Sequence, residues 1–271
     1  MKFSVLMSIY KNETITNFKT AMDSVLCQTL MPDEILLVRD GAVPDDLQAV
    51  IDEYKTNPLI KYIPLEENQG LGKALAHGLK YAANDIVARM DTDDICEPNR
   101  FKIQITYLEN HPEVDVLGGQ IIEFIQDPNT PRGIRNVPLD DKDIKDYMKR
   151  RNPFNHMTVV FRKEKVLAAG SYQDMYLVED YFLWCRMSLR GCVFANVPEV
   201  VVYARTGKDM FKRRGGYKYF KSWKAIEEFK LNNGMTSKWQ YLKTVMMRFG
   251  VQVLMPSSIR GFVLENFSRK H

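Results

Sequence analysis

The sequence predicts an α/β fold, a mostly parallel sheet flanked by helices, with a helical extension at its C-terminal end. Three observations carry this. Short apolar runs rich in strand formers alternate with helix-patterned stretches from residue 3 to residue 109, as parallel strands joined by crossover helices do. Two of these runs end in an aspartate, Asp40 and Asp91, where open parallel sheets bind their ligands. From Gly216 onward the apolar spacing is helical to the last residues.

The elements follow in order. FSVLMSI (3–9) is the first strand, and residues 14–29 form a helix with Phe18, Met22, Val25 and Leu26 on one face. EILLVRD (34–40) is a second buried strand, ending in Asp40-Gly41. Residues 44–55 form a helix with Pro44 near its start, where a missing amide hydrogen is tolerated. IKYIPL (60–65) is the third strand, GLGKALAHGLKYAA (70–83) a helix opened by glycines, and NDIVARMD (84–91) the fourth strand. Thr92-Asp93-Asp94 follows, then a helix from about Pro98 to Glu109. The second half is less regular. VDVLGGQIIEFI (114–125) is a strand or a bent pair around Gly118-Gly119, and residues 139–150 form a polar helix. RNPFNHM (151–157) is a loop, TVVFR (158–162) a strand, and VEDYFLWCRMSLRG (178–191) a helix closed by Gly191. Two short strands are expected around 193–196 and 199–204.

A chain of 271 residues with 45% hydrophobic and 27% charged residues is globular and long enough to bury a sizeable core. Its four cysteines, Cys27, Cys96, Cys185 and Cys192, have neither CxxC nor zinc-type spacing, so free thiols in a reducing compartment are expected. No stretch of about 18 apolar residues occurs, and the apolar run near the N-terminus is too short for a signal peptide. The net charge of +4 conceals an asymmetry. Residues 201–271 carry 15 lysines and arginines against four acids, and the rest carries 23 against 30. A basic tail on an acidic body suits an anionic surface, phospholipid or nucleic acid. The body's negative balance argues against a nucleic-acid face.

Asp91-Thr92-Asp93-Asp94 carries the most chemistry. Carboxylates two residues apart at a strand end can jointly hold a hard divalent cation, and a nucleotide diphosphate supplies its remaining oxygen ligands. The bland alternative is an acidic turn in which Asp94 caps the next helix. Glu179-Asp180 opens a helix, where the macrodipole holds a carboxylate ionised, as a base must be. Ordinary first-turn acid preference gives the same pattern. Ser8 and Tyr10 end the first strand and Asp40 the second, offering an aromatic face and a carboxylate to a nucleobase. Gly70-Leu71-Gly72-Lys73 could bring backbone amides and an ammonium to phosphate, although it is no Walker loop.

In order, FSVLMSIYKNE, LVRDG, NQGLGKAL, ARMDTDD, RRNPFNHMTVVFRK and VEDYFLW resemble the motifs of family-2 glycosyltransferases of the GT-A fold. The resemblance covers about residues 3–215. It is strongest to the amylovoran-biosynthesis subgroup, which builds exopolysaccharide, capsule and O-antigen chains. It implies an inverting, metal-dependent transfer of one sugar from a UDP-sugar, galactose first and N-acetylglucosamine second. The acceptor it implies is a hydroxyl of a lipid-diphosphate-linked glycan. Ser8, Tyr10 and Asp40 would hold the uracil and ribose, with Lys73 near the nucleotide. Asp91 would reach the ribose, and Asp93 would bind Mn²⁺ or Mg²⁺. Asp180 would be the base, with Glu179 beside it. Asn155 and His156 would lie near the acceptor, unless His156 is purely structural. Arg213 and Arg214 would close over the diphosphate, unless they are simply tail charges. The QxxRW motif and transmembrane helices of processive members are missing, so one sugar per encounter is expected.

This divides the chain into a catalytic domain, residues 1–215, and a basic amphipathic extension, residues 216–271, lying on the inner face of the cell membrane. In residues 238–254, Trp239, Leu242, Val245, Met246, Phe249 and Val253 recur at helical spacing among Lys238, Lys243 and Arg248. A second apolar set follows Pro256, at Ile259, Phe262, Val263 and Phe267. A helical lid on the catalytic domain is the competing reading of this tail. Two other function classes fit in part: a nucleotidyltransferase acting on sugar phosphates, and a non-enzymatic protein binding anionic surfaces or nucleic acid. The first should carry a glycine- and lysine-rich signature near its N-terminus, and MSIYKNE lacks it.

Overall fold

The structure, a computed structural model, describes residues 1–207 and 214–255. Its first half follows the alternation read from the sequence. Strands β1 (Phe3–Ile9), β2 (Glu34–Arg39), β3 (Ile60–Pro64) and β4 (Ile86–Asp91) alternate with helices α1 (Ile15–Leu26), α2 (Asp45–Tyr54) and α3 (Leu71–Leu79). Then come β5 (Ile95–Cys96), α4 (Arg100–Asn110), β6 (Val116–Phe124), β7 (Gly133–Arg135), α5 (Asp141–Met148), β8 (Val160–Arg162), α6 (Lys163–Ala168), α7 (Glu179–Leu189) and β9 (Phe194–Arg205). Helices α8 (Tyr217–Asn232) and α9 (Lys238–Phe249) end the described chain, with a π turn over Gly250–Leu254.

One sheet holds all nine strands, in the order β3-β2-β1-β4-β8-β6-β9-β5, with β7 beside β6. The longest ladders are parallel: β1 with β2 and β4, β2 with β3, and β6 with β9. Strand β8 runs antiparallel to β4 and β6 and splices the two parallel sets together. The pleat sorts side chains to opposite faces. Val5, Met7, Ile9, Ile35 and Leu37 join Phe18, Ile51 and Phe101 of α1, α2 and α4 in one core. Leu6, Leu36 and Val38 join Leu75, Met148 and Trp184 of α3, α5 and α7 in the other. Helix α3 lies so close to the sheet that a Cβ at Gly78 would sit 2.5 Å from Val38 Cγ2.

Beyond β4 the chain departs from expectation in four places. Residues 116–124 form one strand, not a pair; its register against β9 shifts on either side of Gln120, beside the expected bend. A Cβ at Gly119 would lie 2.5 Å from Val201 Cγ2, so glycine permits the close approach of β6 to β9 there. The two short strands expected at 193–204 are one strand, β9, because β6 offers it a continuous partner. The strand expected from residue 158 begins at Val160, after a 3-10 turn over His156–Thr158, and leads into the unexpected short helix α6. Strands β5 and β7, two and three residues long, were too short to leave a periodic signal.

Candidate active site

The acidic cluster lies at the C-terminal end of β4. Ser8 stands opposite Asp91 in the β1–β4 register, and the Thr92 hydroxyl donates to Ser8 O at 3.3 Å and to Glu13 Oε2 at 2.8 Å. These bonds fix the turn that brings Asp91, Asp93 and Asp94 together, with one carboxylate oxygen of each within 4.8 Å of the others. Asp94 does not cap α4, which starts at Arg100 behind Asn99. It is buried and accepts the Arg205 backbone N–H at 2.6 Å, tying the cluster to the end of β9. Asp93 is half-buried, and its carbonyl accepts from Arg205 Nε at 3.1 Å. Burial, then the negative charges of Asp91 and Glu13, push Asp93 up to about 7. Burial and the neighbouring Asp93 and Asp91 raise Asp94 well above the usual carboxylate range. Crowded acids that resist ionising on their own are a fitting donor set for a divalent cation, which would neutralise them.

Arg89 is a buried cation beside this cluster. It is 2% exposed, and its Nη2 bonds to Asp91, while Nε and Nη1 are buried without a partner. Its positive charge also favours the ionised forms of Glu179 and Asp180. That pair opens α7, and both members are 8% exposed. Asp180 Oδ2 accepts from Asn152 Nδ2 at 2.5 Å. The sequence gives these acids a helix macrodipole that favours their charged forms, and their burial opposes it. Burial pushes Glu179 up to about 7, with Asp180's charge adding to it, and burial raises Asp180 despite the bond from Asn152. A helix terminus contributes about 0.3–1 kcal/mol at an exposed site, whereas burial shifts acids by up to about 3–5 pKa units, so burial wins.

The other expected residues fall into three groups. Ser8 and Tyr10 are half-buried at the end of β1. Asp40, 3% exposed, is already engaged: Gln69 N, Gly70 N and Asn68 Nδ2 donate to its carboxylate at 2.7–3.0 Å. The Gly70 amide, expected to meet phosphate at the start of α3, therefore holds a carboxylate of the chain itself. Gly41 allows this fold-back, since its φ is +80° and a Cβ would lie 2.5 Å from Asn68 N. Lys73 pairs with Asp174 at 3.1 Å, both exposed. Asn155 is buried, and its Nδ2 donates to Gly119 O at 3.0 Å. His156 meets the Tyr172 hydroxyl through Nε2 at 3.0 Å, and burial, then the charge of Arg89, holds its imidazole well below its usual range. Arg214 is exposed just before α8, and Arg213 lies outside the described residues.

Sequence reasoning overlooked Arg89, Asn152, Tyr172 and Glu13. A charged residue inside the buried run IVARMD was the legible sign of Arg89. Asn152 and Glu13 lie inside motifs singled out for other residues.

The family model described as Glycosyl transferase family 2 matches residues 4–170. Over 263 residues the chain is 43% identical to the amylovoran biosynthesis glycosyltransferase AmsE of Erwinia amylovora, covering 97% of this chain and 98% of that protein. It is 36% identical over 274 residues to the UDP-Gal:alpha-D-GlcNAc-diphosphoundecaprenol beta-1,3-galactosyltransferase of Escherichia coli, covering 99% and 97%. In fold it resembles S. aureus TarS 1–349 in complex with UDP-GlcNAc, with a TM-score of 0.69 at 20% identity over 98% of this chain and 76% of that one.

Proposed function

Since the chain belongs to glycosyl transferase family 2 and is a glycosyltransferase, we propose that its donor is a UDP-sugar and its acceptor a lipid-diphosphate-linked glycan. The reaction is a single inverting displacement that adds one sugar during capsule, exopolysaccharide or O-antigen synthesis. Galactose is the first donor to test, because the E. coli relative's name specifies UDP-Gal and a diphosphoundecaprenol acceptor. N-acetylglucosamine is the second, from the ligand of the TarS complex. The nucleotidyltransferase and non-enzymatic readings give way to family membership.

The observation that carries this reading is the buried Arg89 guanidinium, which bonds to Asp91 of an acidic cluster suited to a cation and whose charge favours ionisation of a buried acidic pair suited to proton transfer. Asp93, with Asp91 and Asp94, would hold Mn²⁺ or Mg²⁺, which when bound supplies charge stabilisation to a departing diphosphate. Asp180 takes the acceptor hydroxyl's proton, with Asn152 fixing the carboxylate that receives it. Glu179 stands beside it in the acceptor site, and Asn155 and His156 shape the wall behind. Ser8 and Tyr10 line the nucleoside end. Asp40 supports that end by holding loop 68–70 and would meet the base only by giving up one of those bonds. The decisive experiment is a panel of UDP-sugars with a lipid-diphosphate acceptor, read by UDP release with and without Mn²⁺. Release of pyrophosphate instead of UDP, or turnover indifferent to chelator, defeats it.

The extension meets an anionic membrane surface on its cytoplasmic side. Helix α9 has no buried residue, and Trp239, Leu242 and Met246 are 75%, 50% and 72% exposed along one stripe near Lys238 and Lys243. Arg248 does not join them, because its guanidinium lies 3.2 Å from the Trp223 ring centroid, and Phe249 packs against Phe220. Among the described residues no helix is long and apolar enough to cross a membrane. The second apolar set, Ile259 to Phe267, lies outside the described residues.

A further inference from the structure

We propose that Lys230, from α8, is a positioning residue for the base: it clamps together the two pieces of chain whose contact aims Asp180. The assignment rests on the function proposed above, in which Asp180 takes the acceptor's proton. The contact is the bond from Asn152 Nδ2 to Asp180 Oδ2, 2.5 Å long. Its two residues belong to different elements, the loop after α5 and the first turn of α7. The bond therefore holds only while those elements keep their spacing.

Lys230 reaches both. Its ammonium is fully buried and carries three hydrogens, and three acceptors surround it: Glu227 Oε1 at 2.8 Å, Lys149 O at 2.9 Å and the Tyr181 hydroxyl at 3.1 Å. Lys149 lies three residues before Asn152, and Tyr181 directly follows Asp180. The Tyr181 hydroxyl closes the clamp by donating its own hydrogen to Met148 O. Trp223, also of α8, packs on the Tyr181 ring with centroids 5.2 Å apart.

Stability alone is a weak reason for this arrangement. Taking an ammonium and a carboxylate out of water costs about as much as their attraction returns, and apolar residues of similar volume often serve as well. An apolar pair could not do what the ammonium does here, which is to bind a backbone carbonyl near Asn152 and a hydroxyl next to Asp180 at once. Glu227, one turn earlier in α8, supplies the counter-charge that lets a cation stay there. The spacing matters because a misplacement of about 1 Å can cost about a hundredfold in rate. The Asn152 amide and the Tyr181 backbone N–H both favour the ionised form of Asp180 against its burial. A drift of the loop would therefore weaken the base as well as misdirect it.

The test replaces the buried pair by apolar residues, Lys230→Met together with Glu227→Leu, so that no charge is left buried alone. This pair variant should melt close to wild type. Its kcat for sugar transfer should fall about ten- to a hundredfold. KM for the UDP-sugar and affinity for UDP should hold, because Lys230 bonds to no residue of the nucleotide end. Asn152→Ala should lower the wild-type kcat by a similar factor and lower that of the pair variant by less than about twofold, as groups acting through one contact do. Tyr181→Phe deletes only the hydroxyl shared by the clamp; it should show the same coupling to Asn152 and serves if the pair variant does not fold. An unchanged kcat, or losses that multiply, would overturn the clamp. So would a parallel loss of UDP affinity, which would make Lys230 a support of the whole site. If wild type releases no UDP from any UDP-sugar, or Asp180→Asn turns over normally, the functional reading has failed by itself. The clamp is then read from the side-chain amide signals of Asn152 in magnetic resonance spectra, identified by their loss in Asn152→Ala. Those signals should move in the pair variant, and signals that stay in place remove the inference.

Discussion

Asp93 is one of three carboxylates crowded at the end of β4, and the physics of that crowding predicts how its variants behave. Asp93→Ala should cut metal-dependent turnover to below about a tenth, more than ~1.4 kcal/mol of transition-state stabilisation. Its melting temperature in chelator should equal or exceed wild type, because one of three mutually repelling acids is gone. Mn²⁺ should raise the wild-type melting temperature and leave the variant unmoved; a normal response by the variant removes Asp93 from the metal site. Asp180→Asn keeps the bond geometry with Asn152 but cannot take a proton, so the rate should fall on the order of 10²–10⁴ with UDP affinity intact. A variant that loses UDP binding and still turns over at saturating donor would move Asp180 to the donor site. Glu179 gives a stability signature. Its carboxyl is pushed up to about 7 in the fold, so the native state holds its proton where the unfolded chain has released it. That group is neutral to stability below the usual carboxylate pKa and destabilising as pH rises through 7, on the order of 3 kcal/mol at full effect. Glu179→Gln should therefore melt higher than wild type at pH 8 and equal to it near pH 4. The same difference at both values would show that Glu179 is not buried as an acid.

At the scale of elements, α8 is part of the fold. Its Tyr219, Phe220, Trp223 and Ile226 are buried, and most of them complete the core built on α5 and α7. Lys230, fully buried, donates to Glu227 Oε1 at 2.8 Å, Lys149 O at 2.9 Å and the Tyr181 hydroxyl at 3.1 Å. The Tyr181 hydroxyl in turn bonds to Met148 O. This network joins α8 to α7 and to the end of α5. Glu227→Ala leaves a buried ammonium short of its counter-charge and should cost about 3 kcal/mol in chemical denaturation; a loss under about 1 kcal/mol would show that water reaches Lys230. A chain ending at residue 215 should fail to give a cooperative unfolding transition, and one ending at Asn232 should keep it. The boundary at 215/216 follows the extent of the family resemblance, while the packing continues into α8.

For the whole molecule the question is what α9 covers. Packing against α8 is limited to the side of Arg248 and Phe249, which leaves the Trp239, Leu242 and Met246 stripe outward. Full-length protein should sediment with anionic liposomes at low salt and release as salt screens each basic contact of roughly 1 kcal/mol. Glu at Trp239, Leu242 and Met246 together should abolish sedimentation while transfer to a soluble acceptor continues. Full-length protein that stays in the supernatant at low salt would end the membrane reading.

Local pattern determined much of this protein. The alternation of apolar runs and helical spacing is written residue by residue, so β1 to β4 and α1 to α4 were legible, as were the strand-end acids and the acidic pair opening α7. Pairing partners are not local. Only the tertiary structure could merge residues 194–205 into one strand along β6, or bring Arg205 from the end of β9 onto Asp94 and Asp93. The same limit hid Arg89: its place in β4 was visible, but its burial depends on what packs around that strand. The ionisation of Glu179 and Asp180 shows the physical reason most directly. Sequence reports that an acid opens a helix, where the dipole favours its charge, whereas burial is the sum of everything packed around it, and here it raises both acids.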